Sequence, residues 1–314
     1  VSNYLVYEII HQQSLTPASL MSPSIKAAIQ RCKDQINVGM NLPWAYYNLG
    51  LFHLLSNKPY EALTAYMLAV EHSSTEWMVE TSLNLLQKLA AVQPMIAGCD
   101  WVIRLLTLIL AIKYFDEDSL KKIKGDAQPG AAFLEPVIII AGGTSPDSDV
   151  DHYENLMTEA FADFKGTLIS GGTTAGVSGL TGKIRAFHPD STHAIGYIPS
   201  VFPSGTQTDK NYNEIRTTEG QDFSALEPLQ YWTDMLAAGV SPDQVKLIGI
   251  NGGEISSFEY HLALMLGAHV AVIKSSGRAV SALLSDPYWS KKPLLFSLSE
   301  DVRELKAFVN EPDR

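Results

Sequence analysis

Cysteine, basic charge and long apolar runs are all scarce in this chain, and each scarcity removes a class of protein. The 314 residues include only 2 cysteines, Cys32 and Cys99, neither in a C-x-x-C or other metal-ligand spacing. That excludes a disulfide scaffold and a thiolate metal site, and leaves buried free thiols of a reducing compartment as the expectation. The 8 histidines form no H-E-x-x-H or paired spacing, so no metal is expected. No Ser-His-Asp order with a nucleophile elbow is present. Basic residues number 23 against 34 acidic ones, for a formal charge of −11. Such a balance argues against a nucleic-acid polymer as partner, while a local pocket can still be positive enough for a small anion. The longest apolar stretch, Trp101 to Phe115, is broken by Arg104 and Lys113. It is too short and too charged to span a bilayer and suits a core helix. No signal peptide is visible, so a cytoplasmic protein is expected. The chain opens on Val1 rather than Met, as a piece of a longer protein would.

What is present is an ordinary globular composition, 46% apolar and 18% charged, in a chain long enough for two domains. The first part reads as helical hairpins. Tyr46-Tyr47-Asn48-Leu49-Gly50, followed by Ala62, Tyr66 and Ala69, places small and aromatic residues as a tetratricopeptide-type repeat does. The match is imperfect, with His53 at an aromatic position and no closing Pro near Ser74; a generic helical hairpin is the alternative. Helical periodicity continues over Thr75–Val92 and Gly98–Phe115. Lys121–Gly130 reads as a linker, so a helical domain is expected over 1–126 and a second domain over 127–314.

From Pro136 the pattern changes. Val137–Ile140, Thr167–Ile169, His193–Ile198, Val245–Ile250, Ala268–Ile273 and Leu294–Phe296 read as strands. Helices are expected over Asp149–Phe164, Val177–Ala186, Leu229–Ala238, Ser256–Leu266, Arg278–Leu284 and Ser299–Phe308. Buried strands alternating with helices imply an α/β fold with a doubly wound, parallel, Rossmann-like sheet, whose ligands bind outside the carboxyl ends of the strands. Asp147, Asp149 and Asp151 lack the continuation of a Ca²⁺ loop and read as helix N-terminal charges.

Glycine pairs close the apolar runs, and they mark the candidate site. Gly142, Gly143, Thr144 and Ser145 follow the first strand; Gly171, Gly172, Thr173 and Thr174 follow the second. Asn251, Gly252, Gly253, Glu254, Ser256 and Ser257 follow the strand at 245–250, and Ser276, Gly277 and Arg278 the next. A turn without Cβ atoms lets a phosphate approach backbone N–H groups, and the following helix N-terminus adds unpaired donors. At Gly172 and Gly253 a Cβ is expected to project into the phosphate's space. The polar loop Ser204–Asp222 brings Lys210 and Arg216 as phosphate partners and Tyr212 as a base-stacking ring; exposed loop residues without function are the alternative. Arg278 is read as a fork onto phosphate or as a structural ion pair. Glu259 is read as a holder of ribose hydroxyls or a solvated helix residue.

These stretches, Ala141–Ser145, Ser170–Val177 with Ala194–Pro199, Gly252–Glu259 and Ser276–Ala279, resemble the SLOG superfamily of Rossmann-like nucleotide-binding domains. That superfamily includes the DNA-processing DprA proteins, the cytokinin-activating LOG enzymes and the sensor region of melastatin-type TRP channels; Ser276–Ala279 resembles the melastatin branch in particular. Gly252-Gly253-Glu254-Ile255-Ser256-Ser257-Phe258-Glu259 is similar to the LOG signature, with Ile255 for its third glycine and Ser256 for its threonine. The Arg-Lys pair that the resemblance implies for a hydrolase falls on Tyr231–Leu236, which holds no basic residue. The resemblance therefore implies a sensor that binds a nucleotide-derived messenger (ADP-ribose, cyclic ADP-ribose forms or a cyclic oligonucleotide) and relays it to an effector or within a homo-oligomer, as in bacterial anti-phage signalling. No cofactor beyond that nucleotide ligand is expected. The alternatives are a nucleotide N-glycosidase or phosphoribohydrolase using Glu254 or Glu259, and a scaffold whose helical repeat binds a peptide.

Overall fold

The computed structural model describes residues 2–93, 95–143 and 150–310. The chain divides into two compact units, Val1–Lys122 and Ile123–Arg314. The first is helical: α1 (Ser2–Gln12), α2 (Thr16–Leu20), α3 (Ser22–Asn37), α4 (Trp44–Leu55), α5 (Pro59–Glu71), α6 (Glu76–Ala90), α7 (Cys99–Lys113) and the first part of α8 (Glu117–Asp126). The stretch read as a linker from Lys121 thus begins as helix, because α8 buries Ser119 and Ile123 beneath an otherwise polar sequence.

The α4–α5 hairpin shows why the small residues stand where they do. Pro59 starts α5, where its missing N–H costs nothing, and Asn57 makes the preceding turn at φ 57°. A Cβ on Gly50 would lie 2.6 Å from the Tyr66 ring, so the bare Cα is what lets the ring lie across α4. Ala62 and Tyr66 are buried to 0% and 1% exposure. α7 buries Leu105, Leu106, Leu108, Ile109 and Leu110, so the stretch from Trp101 is a core helix as expected, but it ends at Lys113, and Phe115 lies beyond it and is exposed. No described helix is long and apolar enough to cross a membrane.

The second unit is a seven-stranded sheet in the order β4-β3-β2-β1-β5-β6-β7, parallel throughout. Its strands are β1 (Val137–Gly142), β2 (Gly166–Ser170), β3 (Thr192–Pro199), β4 (Glu214–Thr218), β5 (Val245–Ile250), β6 (His269–Ile273) and β7 (Leu295–Leu298). Its helices are α9 (Glu154–Ala160), α10 (Gly176–Phe187), α11 (Leu226–Ala237), α12 (Glu254–Leu266), α13 (Arg278–Ser285) and α14 (Val302–Asn310). The chain winds outward from β1 to β4, then returns to the other side of β1 with β5. This is the doubly wound order, with its switch point between β1 and β5. Ile138 and Ile140 of β1 join Phe161, Phe164, Leu180 and Ile184 in one buried cluster.

Two local expectations change. β4 lies inside the loop read as patternless: Glu214-Ile215-Arg216-Thr217-Thr218 has no apolar run, because it is an edge strand that pairs with β3 alone. The helix expected over Asp149–Phe164 is a 3₁₀ turn at Asp151–Tyr153 followed by the shorter α9; Asp147 and Asp149 lie outside the described residues.

Gly50→Val is expected to destabilise the helical unit by about 1–3 kcal/mol through overpacking against Tyr66. Chemical denaturation of Gly50→Val beside Gly50→Val/Tyr66→Ala checks it: the second substitution recovers part of the loss if the ring is the obstacle.

Candidate functional site

At the carboxyl edge of the sheet, the turns after β5 and β6 are bonded to each other. The Asn251 N–H donates to Ser276 Oγ at 2.8 Å, and Ser276 Oγ donates to Ile273 O at 2.7 Å. The Ala279 N–H donates to Gly252 O at 3.3 Å. Asn251 accepts the Gly252 N–H on its own side chain at 2.8 Å, and its carbonyl accepts the Tyr260 hydroxyl at 3.1 Å. Asn251 and Arg278 both adopt left-handed backbone, at φ 61° and 47°, a conformation that costs non-glycine residues free energy and here bends both turns toward one another.

This latch leaves an open corner beside Arg278. A Cβ built on Gly253 meets nothing nearer than Arg278 Nη2, at 3.8 Å. The first backbone bond of α12 runs from Ser257 N to Gly253 O. Among the described residues, no acceptor meets the N–H groups of Gly253, Glu254 and Ile255, and Arg278 has no carboxylate partner. A guanidinium over an open helix N-terminus can receive an anion, since donors, dipole and charge converge there. Gly277 also leaves the space beside it open, at φ 84°.

The other expected contacts fare differently. In the second glycine turn the two threonine donors are spent on the chain. The Thr173 N–H donates to Ser178 Oγ at 2.8 Å, the Thr174 N–H to Gln207 O at 3.1 Å, and Gly172 O accepts the Asp209 N–H at 3.0 Å. A Cβ on Gly172 would meet Ile198, Ile215 and Gly196 at 3.0, 3.0 and 3.1 Å, so this glycine admits the neighbouring strands rather than a ligand. A Cβ on Gly171 would meet Ser178 Oγ at 3.5 Å, an ordinary contact. Gly142 lies within β1, where a Cβ would be 2.1 Å from Ile250 O. Gly143 donates to Ile250 O and accepts from Val177 N. Thr144 and Ser145 lie outside the described residues.

Tyr212 does not stack on a base: it is 8% exposed, its hydroxyl donates to Ser178 O at 2.8 Å, and burial pushes it up to about 12. Arg216 points inward from β4 and is spent on Glu214, whose Oε1 it reaches at 2.6 Å, with Asp234 at 3.6 Å. Burial works against its charge, but the hydrogen bonds to Glu214 and Tyr197 outweigh it and raise its pKa. Arg216 turns inward because Glu214–Thr218 is a strand and not loop, whereas Tyr212 lies in the loop before β4 and is drawn inward by Ser178. Lys210 is exposed. Asn251 and Ser276 shape the corner and are consumed in doing so. Ser256 is buried against Gly252, Ser257 is partly buried and Glu254 is exposed.

Glu259 forms the second pole of α12. It accepts the Tyr231 hydroxyl at 3.3 Å. The residue is partly buried, protein encloses its carboxyl, and among the described residues no cation pairs with it. Burial raises its pKa to about 8; the Tyr231 hydrogen bond opposes the rise and the charge of Glu227 adds to it. Glu227 caps α11, accepting Ser224 N at 2.7 Å and the Thr218 hydroxyl at 2.5 Å. The capping-box spacing Ser224-Ala225-Leu226-Glu227 was the unread signal for it. Tyr231 carried none, because a buried tyrosine on an apolar helix looks like core.

No protein-family model and no curated protein matches the chain. Among solved structures it is similar to the molybdenum cofactor carrier protein of Chlamydomonas reinhardtii, at 17% identity and a TM-score of 0.39, covering 55% of this chain and 94% of that one.

Gly253→Val is expected to keep the fold and lower affinity for a phosphate-bearing ligand at least about tenfold. Gly172→Val instead lowers Tm, since strain and crowding cost about 1–3 kcal/mol. Titration calorimetry and thermal melts of the pair check both. Glu259 takes up a proton on folding, so its contribution is fully present below the unfolded carboxylate range and is lost as pH rises through about 8. Glu259→Gln is therefore expected to raise Tm more at pH 9 than at pH 5; equal shifts at both would refute the buried acid.

Proposed function

We propose that the chain is a sensor whose α/β unit binds a nucleotide-derived messenger and whose helical unit passes the event to an effector or to further copies of the chain. The observation that carries this reading is Arg278, its guanidinium 3.8 Å from the Cβ position of Gly253, above the open N-terminus of α12. It supports an anion such as a phosphate at that corner, with the remainder of the ligand running along the carboxyl edge toward Glu259. A protonated Glu259 can both donate to and accept from ribose hydroxyls. ADP-ribose, cyclic ADP-ribose forms and cyclic oligonucleotides are the candidate messengers, a cytoplasmic anti-phage signalling role is the proposed setting, and the SLOG superfamily is the proposed kinship.

One observation favours a second reading. A carboxyl with a pKa near 8 is protonated at neutral pH and suits a general acid, as a nucleotide N-glycosidase needs. Against it stands the helix that would hold a 5′-phosphate. Tyr231, Trp232 and Asp234 of α11 are buried to 3%, 0% and 0% exposure, and the cation that does approach, Arg216, is committed to Glu214 and Asp234. Without a clamp, a bound nucleotide is held but not aligned for attack.

Calorimetry with AMP, ADP-ribose, cyclic ADP-ribose and cyclic oligonucleotides, followed by assay for released base, separates the readings. Binding of one ligand without turnover is expected, weakened about 10- to 100-fold by Arg278→Ala, the cost of a charge-assisted bond. Multiple turnovers that disappear in Glu259→Gln would overturn the sensor in favour of the enzyme.

A further inference from the structure

The polar network of the α/β unit converges on α11. Tyr231 faces Glu259 at 3.3 Å. On the same helix, Asp234 accepts the Gln128 N–H at 2.9 Å and the Gln230 side chain at 2.8 Å, and Gln230 also donates to Asp126 O at 3.1 Å. Asp126 and Gln128, at the start of the segment 126–134 that leads from α8 into β1, are thus held by the helix that touches Glu259. β3 and β4 reinforce the grip. The Tyr197 hydroxyl donates to Asp234 Oδ2 at 2.7 Å and accepts from Arg216 Nη1 at 2.7 Å. Arg216 also donates to Ala132 O at 3.4 Å and lies 4.9 Å from the centre of the Phe133 ring. The Tyr197 ring meets the Tyr231 ring edge-on at 5.8 Å.

We propose that α11 is a coupling element: it carries a change at the Glu259 carboxyl, through Tyr231 and Asp234, to the segment 126–134 that joins the α/β unit to what precedes it. The proposal deepens the sensor reading, on which its biological purpose rests, but its physical content can be tested without a ligand.

The geometry supplies the play such a device needs. At 3.3 Å the Tyr231–Glu259 contact is slack, whereas a hydroxyl bonded to an ionised carboxylate closes to about 2.5–2.7 Å. Any event that charges Glu259, or withdraws its oxygen toward another donor, therefore pulls or releases Tyr231. α11 buries Leu229, Trp232 and Met235 to 0% exposure, and a packed helix shifts as a body rather than bending side chain by side chain. Asp234 stands about one turn beyond Tyr231, so a displacement of the helix reaches the Gln128 N–H directly. The ionisable groups facing Glu259 are Tyr231 and Glu227 from α11 and Tyr260 from its own helix; Tyr197 of β3 lies behind Tyr231. None is a cation, so among the described residues the charge on Glu259 has no local counter-ion to absorb its effect.

A proton is the probe. The Glu259 carboxyl carbon and the Gln128 amide are followed by nuclear magnetic resonance from about pH 4 to about pH 10, a range that spans normal and raised carboxyl values. In the wild-type chain the Gln128 amide is expected to shift with the same midpoint as Glu259. That inflection is expected to vanish in Glu259→Gln, which keeps the shape and removes the charge, and in Tyr231→Phe, which keeps the ring and removes the bond. A Gln128 amide that stays flat while Glu259 titrates, or one that keeps its inflection in either variant, overturns the proposal. Because no nucleotide is added, the result is independent of what the anion corner binds.

Discussion

The parallel pairing of β1 with β5 is the constraint on which the rest of the α/β unit depends. It forces the chain to leave β1 on one side and return on the other, and the crevice that opens between outward-winding halves is where such sheets present ligands. The pairing is close enough that Gly142 can carry no side chain, since a Cβ there would lie 2.1 Å from Ile250 O. It also sets the height at which β5 ends, so that Asn251 and Gly252 meet Ser276 and Ala279 of the next turn. The position of Arg278 over Gly253 follows from that meeting.

The candidate site has two poles on one helix. At its N-terminus, backbone donors and a guanidinium favour negative charge; further along, a buried carboxyl favours staying neutral. Such a division suits a ligand with an anionic end and an uncharged, hydrogen-bonding body. It arises because this acidic chain spends its cations unevenly. Arg216 goes to Glu214 and Asp234 inside the fold, Lys183 to Glu154 and Lys306 to Asp163 on the surface, while Arg278 has no carboxylate among the described residues.

Strands with continuous apolar runs were legible, because a strand covered on both faces must be apolar on both. β1, β2, β3, β5 and β6 all carry such a run, and so do the helices whose stripes recur every three or four residues. β4 was not legible: an edge strand with polar residues on its open side has the composition of a loop. The same blindness misplaced Arg216, whose inward direction exists only once β4 pairs with β3; Tyr212 stays in the preceding loop and is drawn inward by Ser178. Among the glycines, the sequence could tell that a Cβ was unwelcome but not what it would strike. At Gly172 that is neighbouring strands, at Gly252 it is Ser256, and at Gly253 it is open space beside Arg278.

The amino-acid sequence alone determined the fold class, a helical region followed by a doubly wound parallel sheet, and the strand ends at which a site can form. Periodicity and glycine placement are local properties, and local properties survive in one dimension. Only the tertiary structure decided which turns keep their N–H groups for a ligand, because a donor's availability depends on whether a distant carbonyl or hydroxyl has claimed it. Gln207 claims that of Thr174 and Ser178 that of Thr173. Nothing in the folded chain claims those of Gly253 and Glu254 among the described residues, and that difference separates a turn whose donors are spent from one whose donors are open.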